Sequence, residues 1–289
     1  MTQSLKIALA SPVLRLGDLA YNLAKMEQLL ASSTPDLSDV DLWVFPEISI
    51  AGGFLPGGLT AHAITYQAWA QPVPDGPACR YLLGIARQYH THICAGLLER
   101  DGESVSITHV LCGPDGVIGC QRKLFPQNPT MTPVFTAGDA LLPFALKGRR
   151  GAIMACADWM FPETTILAGI ADVEFILAPT DWFAEADGLK MQKLLCAKAM
   201  GVGVPIIAVF GHDHGAADSP ILAGMALDAQ GEVLVSVIRA SDRDQVAVID
   251  VLISPPSRKW GGSAARVDLL ARSLQTYQQS KQTRKEKAD

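Results

Sequence analysis

The sequence predicts an α/β fold, a layered sandwich in a single domain spanning residues 1–289, and three observations lead to it. Strand-length and helix-length apolar segments alternate from end to end, hairpins are interleaved among them, and no Pro/Gly/Ser-rich linker, repeat or low-complexity block divides the chain. A dinucleotide-binding layout fits poorly. No G-x-G-x-x-G follows the first strand, and the pairs Gly52-Gly53 and Gly57-Gly58 have the wrong spacing.

Taken in order, Lys6–Ala10 and Leu42–Phe45 are apolar runs of strand length, and Leu19, Leu23, Met26, Leu29 and Leu30 recur between them at helical spacing. Residues 77–90 form the next helix, opened by Pro77 in a first-turn position. His92–Leu98, Val105–Leu111 and Val117–Cys120 read as consecutive strands, with Pro114-Asp115-Gly116 as the turn between the last two. Then come a strand at Ala152–Ala155, a helix at Pro162–Ile170, a strand at Phe175–Ala178, a helix at Leu189–Met200 and a strand at Pro205–Val209. Strands near 221–227, 232–238 and 246–252 follow, then a helix over about 264–278 and a charged tail from Lys281.

Composition excludes several function classes. Apolar residues make up 49% and charged residues 18%, so a sizeable core is expected and wholesale disorder is not. Twenty-four Lys and Arg against 29 Asp and Glu give a net charge of −5, with no long basic run before the C-terminal end, which argues against a nucleic-acid platform. The most apolar stretch, Gly201–Phe210, is ten residues long and contains Pro205, so no membrane span is expected. Met1–Ala10 runs directly into Ser11-Pro12 and reads as a first strand, not a signal peptide. Six cysteines without a C-x-x-C pair suit the reduced thiols of a cytoplasmic protein. His212 and His214 lie close, but no third ligand follows at zinc spacing, so no metal is expected.

Candidate reactive groups stand at strand ends, where a side chain is rigidly held yet reachable. Pro46 cannot continue central pairing, so the strand ends there and Glu47 projects at the edge of an apolar layer, a setting suited to a general base. Glu99 ends His92–Leu98, and Lys123 closes the strand after the Pro-Asp-Gly turn. Cys156 follows a strand of small and apolar residues and precedes a turn and a helix opening near Pro162. That is the layout of a nucleophile elbow, with backbone N–H groups after the thiol able to face an oxyanion. Singly, each carboxylate or amine is equally a surface charge, and Cys156 a core thiol.

In series, these segments resemble the nitrilase superfamily of carbon–nitrogen hydrolases: Phe45-Pro46-Glu47 with Gly53-Phe54, Arg122-Lys123-Leu124, and Cys156-Ala-Asp-Trp-Met-Phe-Pro-Glu163. Gly17-Asp18 with Asn22, Gly96 to Glu99, and Phe135 with Gly138-Asp139 add to the likeness. The resemblance implies a four-layer α-β-β-α sandwich with a core of about 5–252. The C-terminal helix and tail, about 263–289, would be free to contact a partner in a homodimer or higher homo-oligomer. It also implies a Glu–Lys–Cys triad: Glu47 as base, Cys156 as nucleophile, and Lys123 with the Ala157 N–H stabilising the tetrahedral state. Glu99 would orient Lys123. Phe54, Trp159 and Trp182 are candidate walls of a substrate pocket, a core role being equally open to each. No metal or organic cofactor is implied. The implied activity is cysteine-dependent hydrolysis of non-peptide C–N bonds, as an amidase on a small linear amide or N-carbamoyl compound. The alternatives are a nitrilase and a non-catalytic binding protein.

The pattern also departs from the family. Its R-A-x-E-N stretch is replaced by Lys198-Ala199-Met200-Gly201, its later Asn by Phe210-Gly211, its Ser by Gly224, and the Gln ending its first strand by Ser11. These positions support a pocket more than they perform chemistry, so substrate class is where their effect is expected.

Overall fold

The computed structural model describes residues 2–32, 39–56, 59–126, 134–181, 188–211, 221–239, 243–255 and 267–275. Its first sheet is built from β1 (Gln3–Ser11), β2 (Leu42–Val44), β3 (His92–Asp101), β4 (Ser104–Gly113), β5 (Gly116–Arg122) and β12 (Gln245–Ile253), in the order β12-β1-β2-β3-β4-β5. The second comprises β6 (Phe144–Leu146), β7 (Arg149–Ile153), β8 (Phe175–Thr180), β9 (Ile206–Phe210), β10 (Ile221–Leu227) and β11 (Val233–Arg239), in the order β11-β10-β9-β8-β7-β6. Among the described residues, five α-helices lie between the strands: α1 (Leu19–Ala31), α2 (Ala63–Trp69), α3 (Pro77–Gln88), α4 (Pro162–Ile170) and α5 (Gly188–Val202).

Each sheet has a parallel trio at its heart. β1-β2-β3 and β7-β8-β9 pair in parallel, and each trio continues into two antiparallel strands, β4-β5 and β10-β11. The remaining edge of each trio carries one antiparallel strand, β12 on β1 and β6 on β7. The parallel trios need crossovers, and the helices supply them.

Three apolar layers follow from strand alternation. Ala8, Trp43, Ile93 and Val110 face α1 and α3 through Leu23, Met26, Leu82 and Ile85. On the other face of the same strands, Leu9, Val44, Cys94 and Leu111 meet Ile153, Leu177 and Val209 between the sheets. Beyond the second sheet, Ile176, Ala178 and Ile206 pack against Met191, Leu195 and Ala168 of α4 and α5. This is the α-β-β-α sandwich.

Several strands run longer than their apolar cores suggest, because ladder pairing continues into polar ends such as Arg100 and Asp101, whereas β2 ends one residue before the expected Phe45 and β7 two residues before the expected Ala155. Two elements have no counterpart in the sequence reading. The helix α2 buries only Tyr66, and β6 is a three-residue edge strand, so neither leaves a readable periodicity. Residues 267–275 are helical, with Val267, Leu269 and Leu274 exposed. His212, His214, Trp182 and the rest of the expected C-terminal helix lie outside the described residues.

Candidate active site

The turn carrying Glu47 is fastened from three sides. Asp18 caps α1 by accepting from the Tyr21 N–H at 3.0 Å, and α1 then presents the buried Asn22. Asn22 accepts from the Arg15 N–H at 2.8 Å and donates to the carbonyls of Arg15 at 2.8 Å and Ile50 at 3.0 Å, tying the turn to the start of α1. Beneath it, Gly96 of β3 leaves space that nothing larger could: an added Cβ would lie 2.5 Å from the Ile48 nitrogen and 2.9 Å from His109 Nε2. Ile48 itself adopts φ 49°, uncommon for a β-branched residue.

Lys123 follows β5 directly. Its N–H donates to Ile107 O, and its carbonyl accepts from Gly138 N–H, both at 2.8 Å. Gly138 packs so tightly that an added Cβ would sit 2.7 Å from Arg122 O. So held, the ammonium reaches Glu47 Oε1 at 2.7 Å, with both side chains buried. Cys156 arrives from the other sheet. It begins a 3-10 turn, Cys156–Met160, between β7 and α4 and adopts φ 43°. Its sulfur interacts with Glu47 by charge and hydrogen bond, with Lys123 by charge, and with the backbone N–H of Asp181 at the end of β8. Glu47 Oε2 is buried and has no hydrogen-bond partner among the described residues.

The charges are mutually dependent. Burial works against the Lys123 ammonium, yet Glu47, Cys156 and Asp158 hold it above the ordinary lysine range. Burial and then Glu47 push the Cys156 thiol well up, while Lys123 and the Asp181 N–H pull the other way without prevailing. At rest the sulfur therefore keeps its proton, and a base beside it is required before it can attack.

Glu99, expected beside Lys123, is held elsewhere. Arg122 grips its carboxylate at both oxygens, 2.6 and 2.9 Å, and the Thr108 hydroxyl donates to it at 2.6 Å. Neighbouring residues in extended backbone point apart, so the cation meeting Glu99 is Arg122. Trp159 is fully buried in the layer outside the second sheet, among Ala152, Met154 and Ile176, so it packs as core and does not wall a pocket. Phe54 is half-buried, edge-on to Tyr66 and Phe135, and Ala157 is buried in the 3-10 turn directly after Cys156.

Three residues missed by sequence reasoning also sit here. Asp181 ends β8 as Glu47 ends β2, a strand-end signal that could have found it. Asp158 accepts backbone N–H bonds from both sides of the site. His109 of β4 is fully buried, both ring nitrogens lack hydrogen-bond partners among the described residues, and burial plus the nearby Lys123 drive it down to about 3.

A family model described as carbon-nitrogen hydrolase matches residues 6–252. The chain belongs to this family. As a carbon–nitrogen hydrolase it is 32% identical over 115 residues to a nitrilase of Pyrococcus abyssi, covering 39% of this chain and 43% of that protein. It is 23% identical over 168 residues to a probable nitrilase of Schizosaccharomyces pombe, covering 57% and 59%. The matches thus span less than two thirds of the curated relatives. Among solved structures, the hydrolase resembles XC1258 of Xanthomonas campestris, a CN-hydrolase superfamily protein with an arsenic adduct in its active site. That likeness has a TM-score of 0.72 at 21% identity, covering 93% of this chain and 95% of the other. It also resembles a glutamate-to-glutamine mutant of the amidase from Nesterenkonia sp. AN1, in which acrylamide has added to the active-site cysteine. There the TM-score is 0.73 at 20% identity, with 93% and 99% covered. These likenesses establish the nitrilase-superfamily fold.

The family departures have local explanations. Lys198 donates to the Phe161 carbonyl at 2.7 Å, fastening α5 to the start of α4, and Gly201 faces open space. The Ser11 hydroxyl donates to the Phe210 carbonyl at 2.7 Å, so two departed positions meet in one bond between the sheets. Gly224 packs against Leu9.

Proposed function

We propose that this carbon–nitrogen hydrolase is an amidase acting on a small linear amide or N-carbamoyl compound through a Cys156 thioester. The observation that carries the reading is the buried Lys123–Glu47 pair at 2.7 Å, set beside a protonated thiol on a strained turn. Glu47 takes the Sγ proton as sulfur attacks the carbonyl carbon. Lys123 and the Ala157 N–H stabilise the oxyanion, a donor of this kind being worth about a hundred- to a thousandfold in rate. The tetrahedral state collapses as the amine departs with the proton from Glu47, leaving the thioester. Glu47 then deprotonates water, which attacks the thioester and releases the acid and the thiol. Glu99 contributes at one remove, by holding Arg122 beside Lys123, and Phe54 lines the approach.

Hydrolysis of an aliphatic-amide and N-carbamoyl panel tests this reading. Cys156→Ala should fold normally and lose turnover by about 10⁴-fold or more, and the wild type should yield an acyl adduct by mass spectrometry. Amide hydrolysis surviving in Cys156→Ala would refute it. The names of the two curated relatives favour a second reading, a nitrilase. Acid and ammonia formed from nitriles, with amides left untouched, would select it. Ile166, Leu167, Met160 and Met200 are exposed on or beside α4 and α5, which supports pairing of that helix layer in a homodimer. Six free cysteines suit a reducing, cytoplasmic setting.

A further inference from the structure

Glu47 and Lys123 ride on the first sheet and Cys156 on the second, so something must fix the offset between them. Among the described residues, the hydrogen bonds joining the Cys156 turn to the segment after Lys123 all end on one carboxylate. Asp158 Oδ1 accepts from Phe125 N–H at 2.8 Å and Leu124 N–H at 3.2 Å. Its Oδ2 accepts from Ala155 N–H at 3.1 Å, with a longer share of Leu124 N–H at 3.4 Å. One buried side chain thus grips the residue before the nucleophile and the two residues after the ammonium. We propose that Asp158 is the positioning residue of this site, a carboxylate staple that holds the Cys156 sulfur in register with Lys123 and Glu47.

The chemistry of the donor set requires a carboxylate. Three N–H groups converge on two oxygens, and only an ionised acid offers acceptors on both; an amide would turn its own N–H₂ toward one of the donors. Burial pushes the Asp158 carboxyl up, and the three N–H groups together with the Lys123 charge restrain the rise, so that it stands at about 6. The staple also answers the strain at Cys156. A non-glycine residue at φ 43° is strained and persists only where its surroundings over-determine it. Asp158 clamps the backbone on one side of that residue through Ala155, and on the other through its own place in the turn, where its N–H donates to Ala155 O at 2.9 Å. Thr164 bonds the same residue, but only at its backbone carbonyl, 2.8 Å away, and so supplies a control.

This inference rests on the amidase reading for its kinetic arm and on Cys156 reactivity alone for its chemical arm. In Asp158→Asn, kcat should fall about a hundredfold with KM changed less than threefold, the loss a displacement near 1 Å produces. Iodoacetamide labelling of Cys156, followed by peptide mass spectrometry, should slow about tenfold or more. Thr164→Val should lower the melting temperature while keeping both rates within threefold of wild type. Unchanged labelling in Asp158→Asn would overturn the staple, as would an equal loss of kcat in Thr164→Val. Absence of amide turnover in the wild type would instead count against the amidase reading and leave the labelling arm standing. Should Asp158→Asn not fold, Asp158→Glu carries the test. It keeps two acceptor oxygens displaced by one methylene, so kcat and labelling should each drop about tenfold, and wild-type values for both would overturn the proposal.

Discussion

The strand trios β1-β2-β3 and β7-β8-β9 share one pairing plan, each parallel and each continuing into an antiparallel pair, yet their strand ends carry different chemistry. The first sheet assembles the buried acid–amine pair from its own strands, Glu47 after β2 and Lys123 after β5. The second presents Cys156 after β7 and, in the place corresponding to Glu47, Asp181, whose N–H meets the sulfur. In the proposed mechanism, charge is therefore built within one sheet and the nucleophile delivered by the other. On that proposal the apolar layer between them sets the geometry of the reaction as well as the stability of the fold.

Removing the charge should affect turnover most. Glu47→Gln deletes the base, and kcat should fall about a thousandfold or more, at the upper end of what general bases supply. Cys156 labelling by iodoacetamide should slow as well, because burial still holds the thiol up and no base remains to take its proton. Labelling unchanged while turnover is lost would show that the sulfur ionises without the first sheet's carboxylate. A large stability cost of about 3–5 kcal/mol should accompany the change, because a buried ammonium is left unpaired.

The intersheet layer can be probed by contrast with an outer one. Leu177 lies between the sheets and Leu82 on the buried face of α3, both fully buried. Truncation of either to alanine should cost about 2–5 kcal/mol in urea unfolding. Only Leu177→Ala should also lower kcat, by roughly tenfold if the sulfur shifts by a fraction of an ångström. Equal kcat in the two variants would break the link between that layer and the chemistry.

His109 sharpens the first sheet's side of the comparison through pH. The fold holds it down to about 3, against an ordinary value of 6.5. Below pH 6.5 the unfolded chain takes up a proton that the folded chain refuses, so the stability present above 6.5 drains away as pH falls toward 3. The slope is about 1.4 kcal/mol per pH unit for this one group. Urea melts at pH 6 and 5 should show that slope in the wild type and a shallower one, by about that amount, in His109→Gln. Parallel slopes would mean the imidazole is already protonated. The smallest effect belongs to Glu99. Its Arg122 partner is 36% exposed, so Glu99→Gln should cost about 1 kcal/mol or less and change kcat no more than threefold. A hundredfold fall would place Glu99 in contact with the chemistry after all.

Much of this was legible in the sequence for a physical reason: strand ends are marked locally. Pro46 stops β2 before Glu47, the Pro114-Asp115 turn sets β5 and thereby Lys123, and the small residues before Cys156 declare a buried strand ending in a turn. What stayed hidden is lateral. No periodicity says that β12 returns to β1, that the two halves repeat one pairing plan without repeating their residues, or that Glu99 on β3 turns to Arg122 and away from Lys123. Asp158 stands in the segment that follows Cys156, but its partners Leu124 and Phe125 lie more than thirty positions away. Trp159 was ambiguous because an aromatic after a nucleophile fits a pocket and a core equally, and only packing decides.

The pairing of β12 with β1, running from Gln3 opposite Ile253 to Ser11 opposite Gln245, bears on how the molecule is made. A growing polypeptide emerges from the ribosome amino end first, so β1 must wait with one side bare until residues 245–253 have been made. An uncovered strand edge invites adhesion to other chains. Synthesis of this chain thus carries a vulnerable interval more than two hundred residues long, closed when β12 appears.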